Sequence, residues 1–173
     1  MTMQGDIWRE AAGKWNEVSA QIGDRWDEAT TCDGWTVRDL VDHVMHWQGQ
    51  GGALFGAGTQ PGDDWSTIEP ALSAALDDPA NLEGTTPAEM GGMPKQQMVG
   101  FVIGDLLLHS WDLARSIGAD ETLPAGAVEA TLMGFGRVPE QMLRSETMFG
   151  PAIEVANDAS AQDRLLGFCG RQP

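Results

Sequence analysis

The run Met98-Val99-Gly100-Phe101-Val102-Ile103-Gly104-Asp105-Leu106-Leu107-Leu108 is apolar nearly all round, apart from one carboxylate. A helix with no polar face has to be buried, with other elements packed around it. This stretch therefore sets the plan of the fold: one central helix, predicted over Lys95 to Ile117, inside a layer of amphipathic ones. Gly118 suits the C′ position and Arg115 the last turn. Gly100 and Gly104 are places where a neighbouring helix could approach closely.

The surrounding segments read as that layer. Trp8, Ala11, Trp15, Val18 and Ile22 recur at spacings of three and four, which predicts a helix over Ile7 to Gly23. Asp24 to Thr31 reads as a short polar connection, and Asp33-Gly34-Trp35 as a turn. Thr36 fits an N-cap with Asp39 three residues on, so a second helix is expected from Val37 to about Gly49. Its stripe is Val37, Leu40, Val44 and Trp47, with His43 inside it and His46 turned toward Asp39 and Asp42. The glycine-rich segment Gln50 to Asp64 reads as a frayed end and loop. Ser66 is the expected cap of a third helix, Thr67 to Leu76. Asn81 to Pro94 is loop by composition. A fifth helix starts near Pro124 with Val128, Leu132 and Phe135 inward. Pro139 breaks or kinks it before a further turn through Leu143. Ile153 to Val155 is too short to support a sheet, and Ser160 to Phe168 predicts a last short helix. No repeat or boundary divides residues 1–173. The expectation is one all-α bundle.

Asp105 carries the chemistry. A buried carboxylate without a partner costs several kcal/mol. Its same-face neighbours are Val102, His109 and Asp112, and residues four apart on a helix lie about 5–6 Å apart at Cβ. A second carboxylate and an imidazole do not balance the charge, whereas a divalent cation does. The three histidines of the chain are His43, His46 and His109, confined to two helices. His43, Asp105 and His109 would supply three ligands and leave a position open, the arrangement of a catalytic zinc site. Other readings stay open at this point. Asp105 could simply bond His109 or Arg38, and His46 could pair with Asp42. Asp112 could orient an imidazole N–H, and Cys32 is a candidate nucleophile near a helix N-terminus. Ser110 and His109 are adjacent on a helix and point apart, which argues against a serine triad. Trp35, Trp47 and Trp111 flank the proposed site.

Ten basic residues face 26 acidic ones, a net charge of −16. That field repels nucleic acid and anionic membranes. No run is long and apolar enough to span a bilayer. No basic-then-apolar leader is visible at the N-terminus. Cys32 and Cys169 have no metal-ribbon or disulfide-framework spacing. A cytoplasmic location is the expectation.

The segment Cys32-Asp33-Gly34-Trp35-Thr36-Val37-Arg38-Asp39-Leu40-Val41-Asp42-His43 resembles the first signature of the DinB/YfiT-like superfamily. The branch it most resembles is the N-terminal domain group of mycothiol-dependent maleylpyruvate isomerases. Asp105 to Gly118 is similar to that group's second signature. Phe149 to Leu166 is similar to the ending of a single-domain subfamily described as metal-binding. The resemblance implies a DinB-like four-helix bundle, here with short extra C-terminal helices. It also implies a divalent metal, commonly zinc or nickel. In the isomerase the ligands are a histidine on the second helix and a Glu-x-x-x-His pair, positions that match His43, Asp105 and His109, with Asp replacing Glu. The isomerase's C-terminal domain has no counterpart here, so isomerisation of maleylpyruvate is not carried over. What is implied is a transferase or isomerase that uses mycothiol or a similar small thiol on a small electrophile. The alternative is a non-catalytic metal- or small-ligand-binding protein. A homodimer is the oligomer expected from the resemblance.

Overall fold

The computed structural model describes residues 1–144 and 148–173. Among the described residues there are seven α-helices and no strand, only three isolated bridges. The all-α, DinB-like bundle expected from the sequence is the fold observed. No described helix is long and apolar enough to cross a membrane.

Helix α1, Met3–Ser19, starts earlier and stops earlier than its periodicity suggests. Thr2 caps it by accepting from Gly5 N–H, and the chain then turns through Gly23 at φ 60°. Trp8, Ala11, Trp15 and Val18 are buried along one face, with Ile22 just beyond the helix end. Helix α2, Val37–Leu54, begins with the capping box foreseen: Thr36 accepts from Asp39 N–H and Asp39 accepts from Thr36 N–H. The Thr36 hydroxyl, and then the Thr36 N–H, donate to the Asp39 carboxyl and hold it below its usual pKa.

The end of α2 corrects the sequence reading. Gly51 and Gly52 are buried inside the helix rather than frayed. The 57–61 segment folds back onto Gly49 and Gly52, and Gly51 packs on Val102. A Cβ at Gly49 would lie 2.2 Å from Gln60 O, and one at Gly52 would lie 2.1 Å from Thr59 Oγ1. These glycines are there for close packing, and composition alone cannot distinguish that from a loop. Trp47 is a second correction. It was expected in the buried stripe, yet it is 43% exposed.

Helix α3, Trp65–Leu76, has Asp64 rather than Ser66 at its N-cap position. It lies across α1 and α2. The 81–94 segment is not plain loop, because short 3-10 turns occupy Pro79–Leu82 and Ala88–Met90. Helix α4, Lys95–Ile117, is the central element, with α1, α2 and α5 (Ala125–Phe135) packed around it. Its run from Leu106 to Ala114 is buried without a break, and Gly118 closes it at φ 68°. Gly104 is the close-approach glycine, since a Cβ there would meet Phe135 Cζ at 2.5 Å. Gly100 is not, having open space around it. Leu132 of α5 is only partly buried, and Thr131 takes the inward place beside Val128 and Phe135. Helix α6, Glu140–Leu143, is a single turn after Pro139. Helix α7, Ala161–Phe168, is capped by Ser160 and packs on α5.

The contacts of α2 with α4 set the site. Gln48 and Gly51 meet Val102, while His43 meets Asp105 one level away. The two helices therefore run antiparallel, with their polar positions facing each other at one level of an otherwise apolar interface.

Candidate metal centre

Three side chains converge at that level. Asp105 Oδ1 lies 3.1 Å from His43 Nε2 and 3.5 Å from His109 Nε2. The two imidazoles stand nearly edge-on, with centroids 4.8 Å apart and planes at 77°. All three potential donor atoms lie within 4.8 Å of one another. Zinc bonds of about 2.0–2.1 Å in tetrahedral geometry separate neighbouring ligand atoms by about 3.3 Å. The two nitrogen–oxygen distances bracket that value, and two imidazole nitrogens with one carboxylate oxygen are a donor set whose chemistry suits a small divalent cation.

The local sequence explains the convergence. Asp105 and His109 are one turn apart on α4, and His43 comes from the facing helix. The second oxygen of Asp105 makes a long contact with Gln48, whose Nε2 lies 3.5 Å from Oδ2 and donates to Val102 O at 2.9 Å. Gln48 is fully buried, and its Oε1 accepts from Trp8 Nε1 at 3.1 Å. It ties the site to α1. Sequence reading missed Gln48, although a glutamine one turn and a residue past His43 was a usable signal.

His109 is held from its other side. Its Nδ1 lies 2.9 Å from Asp112 Oδ2. That puts an Nδ1 proton on the carboxylate contact and makes Nε2 the nitrogen that faces Asp105 and His43, available to a cation once its own proton leaves, the arrangement of a carboxylate-oriented metal ligand. Asp112 in turn takes Arg171 on both oxygens, at 3.0 Å and 2.6 Å, and accepts from Thr31 Oγ1 at 3.0 Å. The Cys32 thiol lies 3.6 Å from Oδ2. Cys32, His109 and Asp112 form a second close trio. Its carboxylate is already saturated by Arg171 and Thr31, so the trio reads as support for His109.

The electrostatics follow. Burial works against a charged Asp112, but the His109 bond and the Arg171 charge win and hold its carboxyl well below the usual range. Burial likewise works against a charged His109. Its bond to Asp112, its Cys32 contact and the Asp105 charge outweigh this and push it up to about 10. Burial lowers and Asp112 raises the Arg171 pKa, with a net rise. Two carboxylates against one guanidinium leave one negative charge uncompensated. A proton on His109 or a divalent cation between the three donors cancels it.

The remaining sequence candidates fall elsewhere. Arg38 pairs with Asp27 and lies over Trp26, away from Asp105. His46 is exposed and stacks edge-on against Trp47, apart from the three donors. Ser110 is buried and donates to Leu106 O. Trp35 lies over both imidazoles, with centroids 4.8 Å from His43 and 6.0 Å from His109. Trp47 stands 6.3 Å from His43. Trp111 is a core residue beneath Arg115.

Comparison with known proteins bears out the resemblance over part of the chain. Residues 6–65 match the model of the mycothiol maleylpyruvate isomerase N-terminal domain. That segment covers most of α1 and all of α2, hence His43, while Asp105 and His109 lie outside it. Two proteins of Mycobacterium tuberculosis, each described as uncharacterized, are 27% identical over 150 residues, covering 82% of this chain and 82% of each relative. No solved structure matches.

Proposed function

We propose that residues 1–173 form one DinB-like domain holding a divalent metal, zinc or nickel, through His43 Nε2, Asp105 Oδ1 and His109 Nε2. We propose further that this centre serves thiol-dependent transfer or isomerisation of a small electrophile. The observation that supports the reading is the single carboxylate oxygen facing two imidazole nitrogens at 3.1 and 3.5 Å across two helices. Mycothiol as the thiol comes from the family matched over residues 6–65.

When bound, a divalent cation supplies Lewis acidity and lowers the pKa of a thiol or water placed beside it. The chain's own residues do the rest. Asp112 holds a proton on His109 Nδ1, so Nε2 is the nitrogen that loses its proton when a cation binds. Gln48, held by Val102 and Trp8, stands behind the second oxygen of Asp105 at 3.5 Å. Trp35 covers the imidazoles on one side and limits access of water. Trp47, exposed beside His43, offers an apolar surface to an entering molecule. Three protein donors leave a position open for the thiol.

The test is elemental analysis of the purified protein beside His109→Ala, followed by turnover assays with a small electrophile with and without mycothiol. The expected result is near-stoichiometric metal in the natural chain, its loss in the variant, and thiol-dependent turnover. Equal metal content in both sinks the centre. Metal without thiol-dependent turnover favours the non-catalytic binding protein. Sedimentation checks the homodimer expected with this reading.

A further inference from the structure

We propose that Arg171 is a positioning residue for this metal centre, acting on His109 through Asp112. The inference rests on the metal-dependent reading above. Arg171 follows α7, and its partner Asp112 lies 59 residues earlier on α4. Its guanidinium spans the carboxylate, Nε 3.0 Å from Oδ1 and Nη2 2.6 Å from Oδ2. Balancing a charge needs one contact. A fork on both oxygens also fixes the plane of the carboxylate, which an ammonium cannot do.

That plane matters because Oδ2 is the oxygen that meets His109 Nδ1. A fixed carboxylate fixes both the ring angle and the nitrogen that carries the proton. Nε2 then faces Asp105 and His43. Arg171 also neutralises Asp112, so His109 is oriented without a second net negative charge behind the centre. Thr31, from the segment before α2, holds Oδ1 from another side. Arg171 is itself steadied by the Cys169 carbonyl at 3.3 Å. Seating the segment after α7 and orienting the ligand are thus one event.

The experiment uses the full chain as Arg171→Met and Arg171→Lys, with His43→Ala as the direct-ligand control. Zinc affinity is measured by competition with a chromophoric chelator. The His109 Nδ1 proton is followed by nitrogen-15 NMR in metal-free protein. Helix content by circular dichroism shows that each variant is folded. Arg171→Met is expected to weaken zinc binding about tenfold or more, in line with other outer partners of metal ligands, and to broaden or lose the Nδ1 proton signal. Arg171→Lys, keeping charge but losing the fork, is expected to fall between. If Arg171→Met does not fold, Arg171→Lys decides. A folded variant that binds zinc within twofold of the natural chain with an unchanged Nδ1 signal overturns the proposal. If the natural chain and His43→Ala both fail to bind zinc while the Nδ1 signal still responds to Arg171→Met, the metal reading has failed. The link from Arg171 to His109 then stands as structure only, and the positioning role is withdrawn.

Discussion

Two carboxylates sit two turns apart on α4 and live differently. Asp112 has 2% of its side chain exposed, and every oxygen is engaged by Arg171, Thr31 and His109. Asp105 has 21% exposed and, apart from a long contact to Gln48, faces only imidazole nitrogens. The first is a closed ion pair. The second is a donor with capacity to spare. The lesson is that a buried acidic residue on an apolar helix signals nothing by itself. Its outstanding hydrogen-bonding capacity separates a structural charge from one kept for a ligand.

Stability gives the largest expected contrast. Asp112→Ala strands a buried guanidinium and should cost about 3–5 kcal/mol. Asp105→Ala in metal-free protein should cost about 1 kcal/mol or less. Urea titration of both variants without metal reads the difference, and equal losses would break the distinction. Metal affinity reverses the ranking. Asp105→Ala removes one of three donors and should lower zinc affinity at least as far as the outer-partner range of about 10–100-fold, measured by chelator competition on a protein of near-natural stability.

The pH dependence follows from the charges. His109 carries a raised pKa, from 6.5 to about 10. Its stabilising contribution in metal-free protein is therefore full below pH 6.5 and is lost as pH rises through 10. Asp112 is shifted down, so its own contribution persists throughout that window. Melting temperature without metal should fall between pH 7 and 10. With zinc bound the proton has already left, so the fall should flatten and zinc affinity should rise over the same range. A metal-free melting temperature independent of pH there would contradict the charge assignment. The smallest effect expected is from Thr31→Val, which removes one donor to Asp112 and should cost about 0.5–1.5 kcal/mol. Urea titration checks it, with the Asp105 environment unchanged.

Much of the fold was legible because helices write their faces into local spacing. The apolar run around Asp105 predicted the central helix, and Thr36 with Asp39 predicted the start of α2. The closeness of His43, Asp105 and His109 was also legible, since two of them are a turn apart and the third is on the other histidine-bearing helix. What could not be read was whatever depends on a distant segment. Arg171 and Thr31 reach Asp112 from 59 and 81 residues away, and no periodicity encodes that. Gly51 and Gly52 looked like a loop because their spacing does not show what they make room for, Ala57 and Thr59 at Gly52 and Val102 of α4 at Gly51. Trp47 looked buried because a helical stripe does not reveal where its neighbours end.

The seat of Trp35 over His43 and His109 gives the molecule an optical property. An imidazolium in contact with an indole accepts an electron from its excited state, and a neutral imidazole does so far less. Trp8, Trp15 and Trp111 are buried elsewhere in the core. Difference emission against Trp35→Phe therefore isolates an indicator built over the candidate centre. It should brighten when the proton on His109 leaves, which makes arrival of a cation visible without any added label.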